Sequence, residues 1–244
     1  MRRLLEQPLI PFVATVAVLV AGFTLTACEC RADEGAAPAI ARPGEFVVSL
    51  TRLVPLVAFR STKVDTSLPN DAAPTTSFLV GSDPTVTNVY DVPRLGFDFV
   101  LPRRFTLGLE VAGIASLSGS PSLGDPPKVS LFGIAPHVGY LAVLNRYVAA
   151  WLRAGAAYYE TSSEGVNGAG GATVSYSWTW RQLDATVEGH MLFTPLPHVG
   201  VTVGVYGELP LHGSFEEERS VGPGVTANAS SLELGVVAGI LTYL

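Results

Sequence analysis

Residues 199–206 read VGVTVGVY: Val199, Val201, Val203 and Val205 alternate with Gly200, Thr202, Gly204 and Tyr206. In an extended chain this puts a wholly apolar row on one face and small or polar groups on the other. The same period of two runs through 105–115, where Phe105, Leu107, Leu109 and Val111 alternate with Thr106, Gly108, Glu110 and Ala112. In 183–193, Leu183, Ala185, Val187, Met191 and Phe193 oppose Asp184, Thr186, Glu188 and His190, and Leu232, Leu234, Val236, Ala238 and Ile240 repeat the pattern near the end. Weaker copies lie at 46–59, 90–101, 129–143 and 147–159. The set comes to about eight strands, each long enough for the ~9–11 residues that a tilted strand needs to cross a bilayer.

The connections alternate in length. Those at 102–104, 144–146 and 194–198 are short turns, whereas 60–88, 116–128, 160–175 and 211–229 read as long loops, the third holding GVNGAGG (165–171) and the fourth the acidic run Glu216 to Glu218. Facing then separates two kinds of barrel. A soluble, ligand-binding barrel of lipocalin type turns its apolar side chains inward. Here the apolar rows are nearly free of charge, as a lipid-facing surface must be where a midplane Lys or Arg costs roughly 2–4 kcal/mol. The fold read from residues 45–244 is therefore all-β: a closed antiparallel transmembrane β-barrel with short turns at one end and long loops at the other.

In this pattern the chain resembles the small OmpA/OmpX-type outer-membrane barrels. The resemblance implies a bacterial outer membrane, periplasmic turns and termini, contact with outer-membrane lipid and lipopolysaccharide, and handling by the barrel-assembly machinery. The last strand, SSLELGVVAGILTYL (230–244), is similar to the strand that machinery reads, although it ends in Leu244 where the family usually places Phe.

The first residues read as an address. Arg2 and Arg3 precede an apolar run from Leu9 to Ala27, the form of a secretory signal over 1–27. Leu25-Thr26-Ala27-Cys28 resembles a lipobox, which makes Cys28 a lipidation candidate; cleavage after Ala32 is the alternative. Residues 28–44 read as a linker. Cys28 and Cys30 are the chain's two cysteines, so no thiolate metal site can be completed. The net charge of −6 and a pI near 5.2 lack the footprint of a nucleic-acid binder. No motif calls for a cofactor.

With the apolar rows on lipid, Arg94, Asp98, Glu110, His137, Arg153, Asp184, Glu188, His190, Glu208 and Glu233 point into the lumen. Pairing Val143 with Tyr147 across the 144–146 turn sets His137 opposite Arg153 and, with Glu188 alongside, predicts a His137/Arg153/Glu188 cluster. Glu110 reaches Arg94, and Asp184 meets Glu208 near the outer rim. Such a salt-bridge network plugs a narrow barrel, leaving a structural, surface-interaction or narrow-transport role. The alternative is an enzyme acting on lipid A or phospholipid acyl chains, with Glu188 orienting His190 as a base, though no nucleophile stands beside them. The aromatics Trp178, Trp180, Tyr158 and Tyr176 at the outer ends, and Tyr140, Tyr147, Phe193 and Tyr243 at the inner ends, form two expected girdles.

Overall fold

The computed structural model describes residues 42–65, 75–78, 92–115, 127–169, 172–196 and 198–244. The signal segment, Cys28 and all of the linker before Arg42 lie outside them. The strands are β1 (Phe46–Asp65), β2 (Thr75–Phe78), β3 (Arg94–Val100), β4 (Phe105–Ala115), β5 (Lys128–Val143), β6 (Val148–Ala169), β7 (Ala172–Leu196), β8 (Val199–Arg219) and β9 (Val225–Tyr243). From β3 to β9 each strand pairs antiparallel with the next, β1 pairs with β3 on one side, and β9 returns to β1 on the other, so eight strands close a ring. The short β2 lies along the outer part of β1, from Val57↔Phe78 to Arg60↔Thr75. A closed ring satisfies every strand edge, the condition for a sheet in lipid.

The facing follows the alternation. Leu107 and Val205 are 57 % and 58 % exposed on the outside, while Thr106 and Thr202, one residue out of phase, are buried at 1 % and 2 %. On β7 the outward row is apolar from Phe193 to Leu183 and becomes charged at Arg181; on β6 it runs from Val148 to Tyr158 and becomes charged at Glu160. These limits are level, because Tyr158 pairs with Leu183 and Glu160 with Arg181. The 11 residues 183–193, rising ~3.3 Å each at a tilt of about 45°, span about 25 Å, the height of a transmembrane barrel's apolar band.

Beyond that band the chain departs from the expected loops. Residues 160–169 and 172–175 are paired strand up to Ala169↔Ala172, and 211–219 and 225–229 also belong to β8 and β9. The reason is solvation: above lipid the outer face of a strand also meets water and carries polar groups such as Glu160 and Arg181, so alternation of hydropathy fades while the backbone ladder continues. GVNGAGG accordingly begins as strand, not loop. The roughly ten residues of β6 beyond the band raise a wall of roughly 20 Å. Among the described residues the wall is one-sided, since β3 begins at Arg94 and β4 ends at Ala115.

At the other end the turns are tight. The 102–104 connection is a single 3-10 turn. At the β5–β6 turn the Asn145 carboxamide oxygen accepts from the Tyr147 and Val148 amides at 2.8 and 3.0 Å, which widens the turn. Val143 therefore pairs with Ala149 rather than Tyr147. This two-residue slip preserves facing but places Gly155, not Arg153, opposite His137.

The girdle expectation needs correction on both rims. Tyr140, Tyr147 and Phe193 are exposed on the outer surface, and Tyr158 also faces outward, whereas Tyr243 is 4 % exposed and packs inside. Trp178 and Trp180 lie on the wall's concave side, beside Phe215 at 6.3 Å and over the buried Ser163 and Thr161 that pair with them. Tyr176 crosses Gly165 on that side as well. They fill the mouth of the barrel instead of facing lipid.

The lipid-facing assignment has a direct check. Val205→Arg is expected to lower stability by roughly 2–4 kcal/mol in vesicles, measured by denaturant titration with the heat-dependent gel shift as readout. The same charge at Val221, beyond the strands, is expected to change it by less than about 0.5 kcal/mol.

Candidate functional site

All ten side chains expected in the lumen are buried there, the most exposed being Glu188 at 8 %. Their partners follow from strand register. Glu188 lies opposite Arg153 on neighbouring strands and forms an ion pair with it, while Glu110 takes the other side of Arg153 at 2.7 Å. Arg94 stands between Glu110 at 3.8 Å and Glu208 at 2.9 Å.

The circuit is completed by a residue that the alternation did not place inside. Arg52 bonds Glu208 at 2.6 Å and Glu188 at 2.9 Å. The result is a closed ring of alternating charge: Arg52, Glu188, Arg153, Glu110, Arg94, Glu208 and back to Arg52, drawn from β1, β7, β6, β4, β3 and β8. Each guanidinium also faces an aromatic ring: Arg52 over Tyr206 at 4.0 Å, Arg94 by Tyr159 at 5.0 Å and Arg153 by Trp151 at 4.9 Å. A signal for Arg52 was present in the sequence. The outward row Phe46, Val48, Leu50 would carry Arg52 into lipid, and Leu53-Val54-Pro55 then breaks the alternation. The chain resolves this conflict with register shifts on either side of Val54 and a left-handed backbone at Arg52, φ 55°.

The remaining residues attach to the ring. His137 is not joined to Arg153 and Glu188; its Nε2 meets Asp98 Oδ1 at 2.7 Å, across the space left by Gly108, where a Cβ would collide with both side chains. His190 takes the place expected for His137, with Nε2 at 3.1 Å from both Arg153 and Glu188. Asp184 and Glu208 do not face each other, because the register that starts at Phe193↔Val201 pairs Asp184 with Pro210 and Glu208 with Thr186. Asp184 accepts from Gln182 at 2.5 Å, and Glu208 lies deep in the lumen opposite Glu233. Glu233 in turn pairs with Arg60 at 3.0 Å and accepts from the Tyr206 hydroxyl.

Between the ring and the short turns the lumen holds a large apolar cluster with a few buried polar groups, Thr106, Thr194 and Thr202 among them. Val47, Val100, Leu141, Ala149, Trp151, Leu192, Leu241 and Tyr243 form one buried cluster across the barrel. Little in the sequence marks it, because these residues share the inward parity with the charges and only their position near the turns distinguishes them.

This geometry bears on catalysis. Both Glu188 oxygens are held by arginines, and the partners of His190 Nε2 are Arg153 and Glu188, with no hydroxyl on either ring nitrogen. Among the described residues no three His, Cys, Asp or Glu side chains are grouped to hold a metal.

No protein-family model matches the chain. No curated protein matches it in sequence. Solved structures similar to it include the attachment invasion locus protein Ail of Yersinia pestis, 12 % identical over 82 % of this chain and 99 % of that one, TM-score 0.33. Neisserial surface protein A is 15 % identical over 82 % and 98 %, TM-score 0.40. A major outer membrane protein of Thermus thermophilus is 10 % identical over 83 % and 100 %, TM-score 0.46.

Removing one member of the ring leaves buried charge without its counter-ion, so Arg52→Ala is expected to lose about 3–5 kcal/mol of unfolding free energy in vesicles. Adding Glu208→Ala is expected to cost less than the sum of the two single changes, the mark of a coupled pair in a double-mutant cycle. Strict additivity would contradict the ring.

Proposed function

We propose that this protein is an integral outer-membrane β-barrel with both termini in the periplasm, a lumen that does not conduct, and a surface-interaction role carried by the wall that β6 to β9 raise outside. The observation that carries the reading is the wall itself. A barrel needs only ~9–11 residues per strand to span the membrane, yet β7 has 25 residues and β6 has 22. The excess is ordered backbone held by a continuous ladder, a rigid platform of the kind on which binding residues are presented. Its outer side carries the exposed pairs Arg181–Glu160 and Arg181–Glu216 at 3.1 and 3.2 Å.

Two features support a closed lumen. The ring occupies the cross-section with paired charge, and beneath it Leu141, Trp151, Leu192, Leu241 and Tyr243 fill the lumen toward the turns with apolar bulk. The short turns support periplasmic termini, as in other barrels of this architecture. An acyl-transferring enzyme is the weaker reading, because the arginines of the ring occupy Glu188, the carboxylate that would orient His190.

An epitope inserted after Gly222, in the β8–β9 connection, is expected to be labelled by antibody on intact cells, with a tag at the C-terminus labelled only after permeabilisation. Shortening the β6–β7 hairpin by removing residues 163–178 is expected to abolish cell-surface binding while the gel shift of the folded barrel persists. The reverse labelling pattern would overturn the orientation, and undiminished binding would overturn the role of the wall.

A further inference from the structure

Two neighbouring short turns are basic. One reads Leu101-Pro102-Arg103-Arg104 and the other Leu144-Asn145-Arg146-Tyr147, and neither contains an acidic side chain. They stand together because β4 and β5 pair from Phe105↔Tyr140 upward. Arg103 and Arg104 keep left-handed backbones, φ 64° and 67°, at positions where glycine is the easier choice. Arg146 lies over the ring of Tyr147 at 4.4 Å. In a chain of net charge −6 this is a local concentration of positive charge at the edge of the apolar band.

Immediately above these turns the lipid-facing surface of β4 to β7 contains a shallow apolar groove lined by Phe105, Val138, Tyr140, Leu152, Ala154 and Val187. Register explains it. Ala154 lies between Val138 and Val187 in one outward row, and Gly189 lies beside Leu152 in the next, so the middle of the surface is low. Phe105 and Tyr140 meet edge to face at 5.4 Å and form the wall nearest the first turn. Toward the second turn the outward row narrows to Ala142 opposite Ala150, which leaves the groove open in the direction of Arg146.

We infer that the groove and the three arginines form one site for an anionic glycerophospholipid of the periplasmic leaflet. Guanidinium groups of Arg103, Arg104 and Arg146 receive the phosphate, a match of planar donors to phosphate oxygens, and one acyl chain lies along the groove. Juxtamembrane Lys and Arg attract anionic lipid from just this depth. A soluble anion is the poorer occupant, because the surface continuous with the arginines is apolar and faces lipid. The site depends on the barrel's place in a membrane and its orientation, and is independent of whether the lumen conducts.

Native mass spectrometry of the folded full-length chain in detergent, titrated with phosphatidylglycerol or with phosphatidylcholine, tests the site. One phosphatidylglycerol per barrel is expected to be retained, with a preference of at least about tenfold over phosphatidylcholine. Arg103→Gln, Arg104→Gln and Arg146→Gln together are expected to erase that preference. Ala154→Phe, which fills the groove and leaves the arginines intact, is expected to weaken retention, and Ala154→Leu serves as a second groove variant. The heat-dependent gel shift reports folding of each. Equal retention of the two lipids by the unaltered protein, unchanged retention in the variants, or full competition by glycerol 3-phosphate at lipid concentrations would overturn the inference.

Discussion

An ion moved out of water needs its counter-ion with it, and three arginines and three glutamates of this barrel supply one another's in a single closed circuit. Six of the eight ring strands contribute one member each. The circuit therefore fixes the relative positions of strands far apart in sequence: Arg52 and Glu208 are separated by 156 residues. Register is the other half of the same constraint. Slipping one strand by one residue would turn its charge into lipid and its apolar row into the ring.

The rest of the lumen is arranged around this circuit in layers. Toward the turns lies the apolar cluster with Trp151 and Tyr243, and toward the mouth lie Tyr159, Gln182 and then the aromatic filling of Trp178, Trp180 and Phe215. Small residues make the space: Gly108 clears Asp98 and His137, and Gly204 clears His190, where a Cβ would overlap each. Each guanidinium has an aromatic face beside it, which replaces part of the lost hydration. Large charged groups, aromatic rings and glycines are thus parts of one packing solution inside a narrow barrel.

Much of this was legible in the sequence because lipid enforces a period of two over the whole apolar band. The outward rows of β4, β7, β8 and β9, the inward facing of the ten charged residues and the position of the short turns all follow from it. What was not legible arises where that enforcement stops. The outer parts of β6 to β9 have a polar outer face in place of an apolar one, so the inward parity of Thr161, Ser163 and Phe215 has no contrast in the sequence to mark it. Arg52 turns inward through a bulge, which a rule of strict alternation assigns to lipid. His137 found Asp98 rather than Arg153 because the Asn145 side chain widened a turn, a local hydrogen bond that shifts a register without changing any face. Tyr243, Trp178 and Trp180 show that an aromatic at a strand end is a girdle residue only if its parity also faces outward.

On the proposed function the barrel is a closed pedestal, with the ring and the apolar cluster as its seal, the band as its hold on the membrane, and the wall of β6 to β9 as its working surface. Conductance in planar bilayers addresses the seal most directly. The unaltered protein is expected to be silent, and Glu188→Ala, which opens the ring but leaves the apolar cluster in place, is expected to be silent as well. Steady unit conductance through the unaltered protein would contradict a sealed lumen.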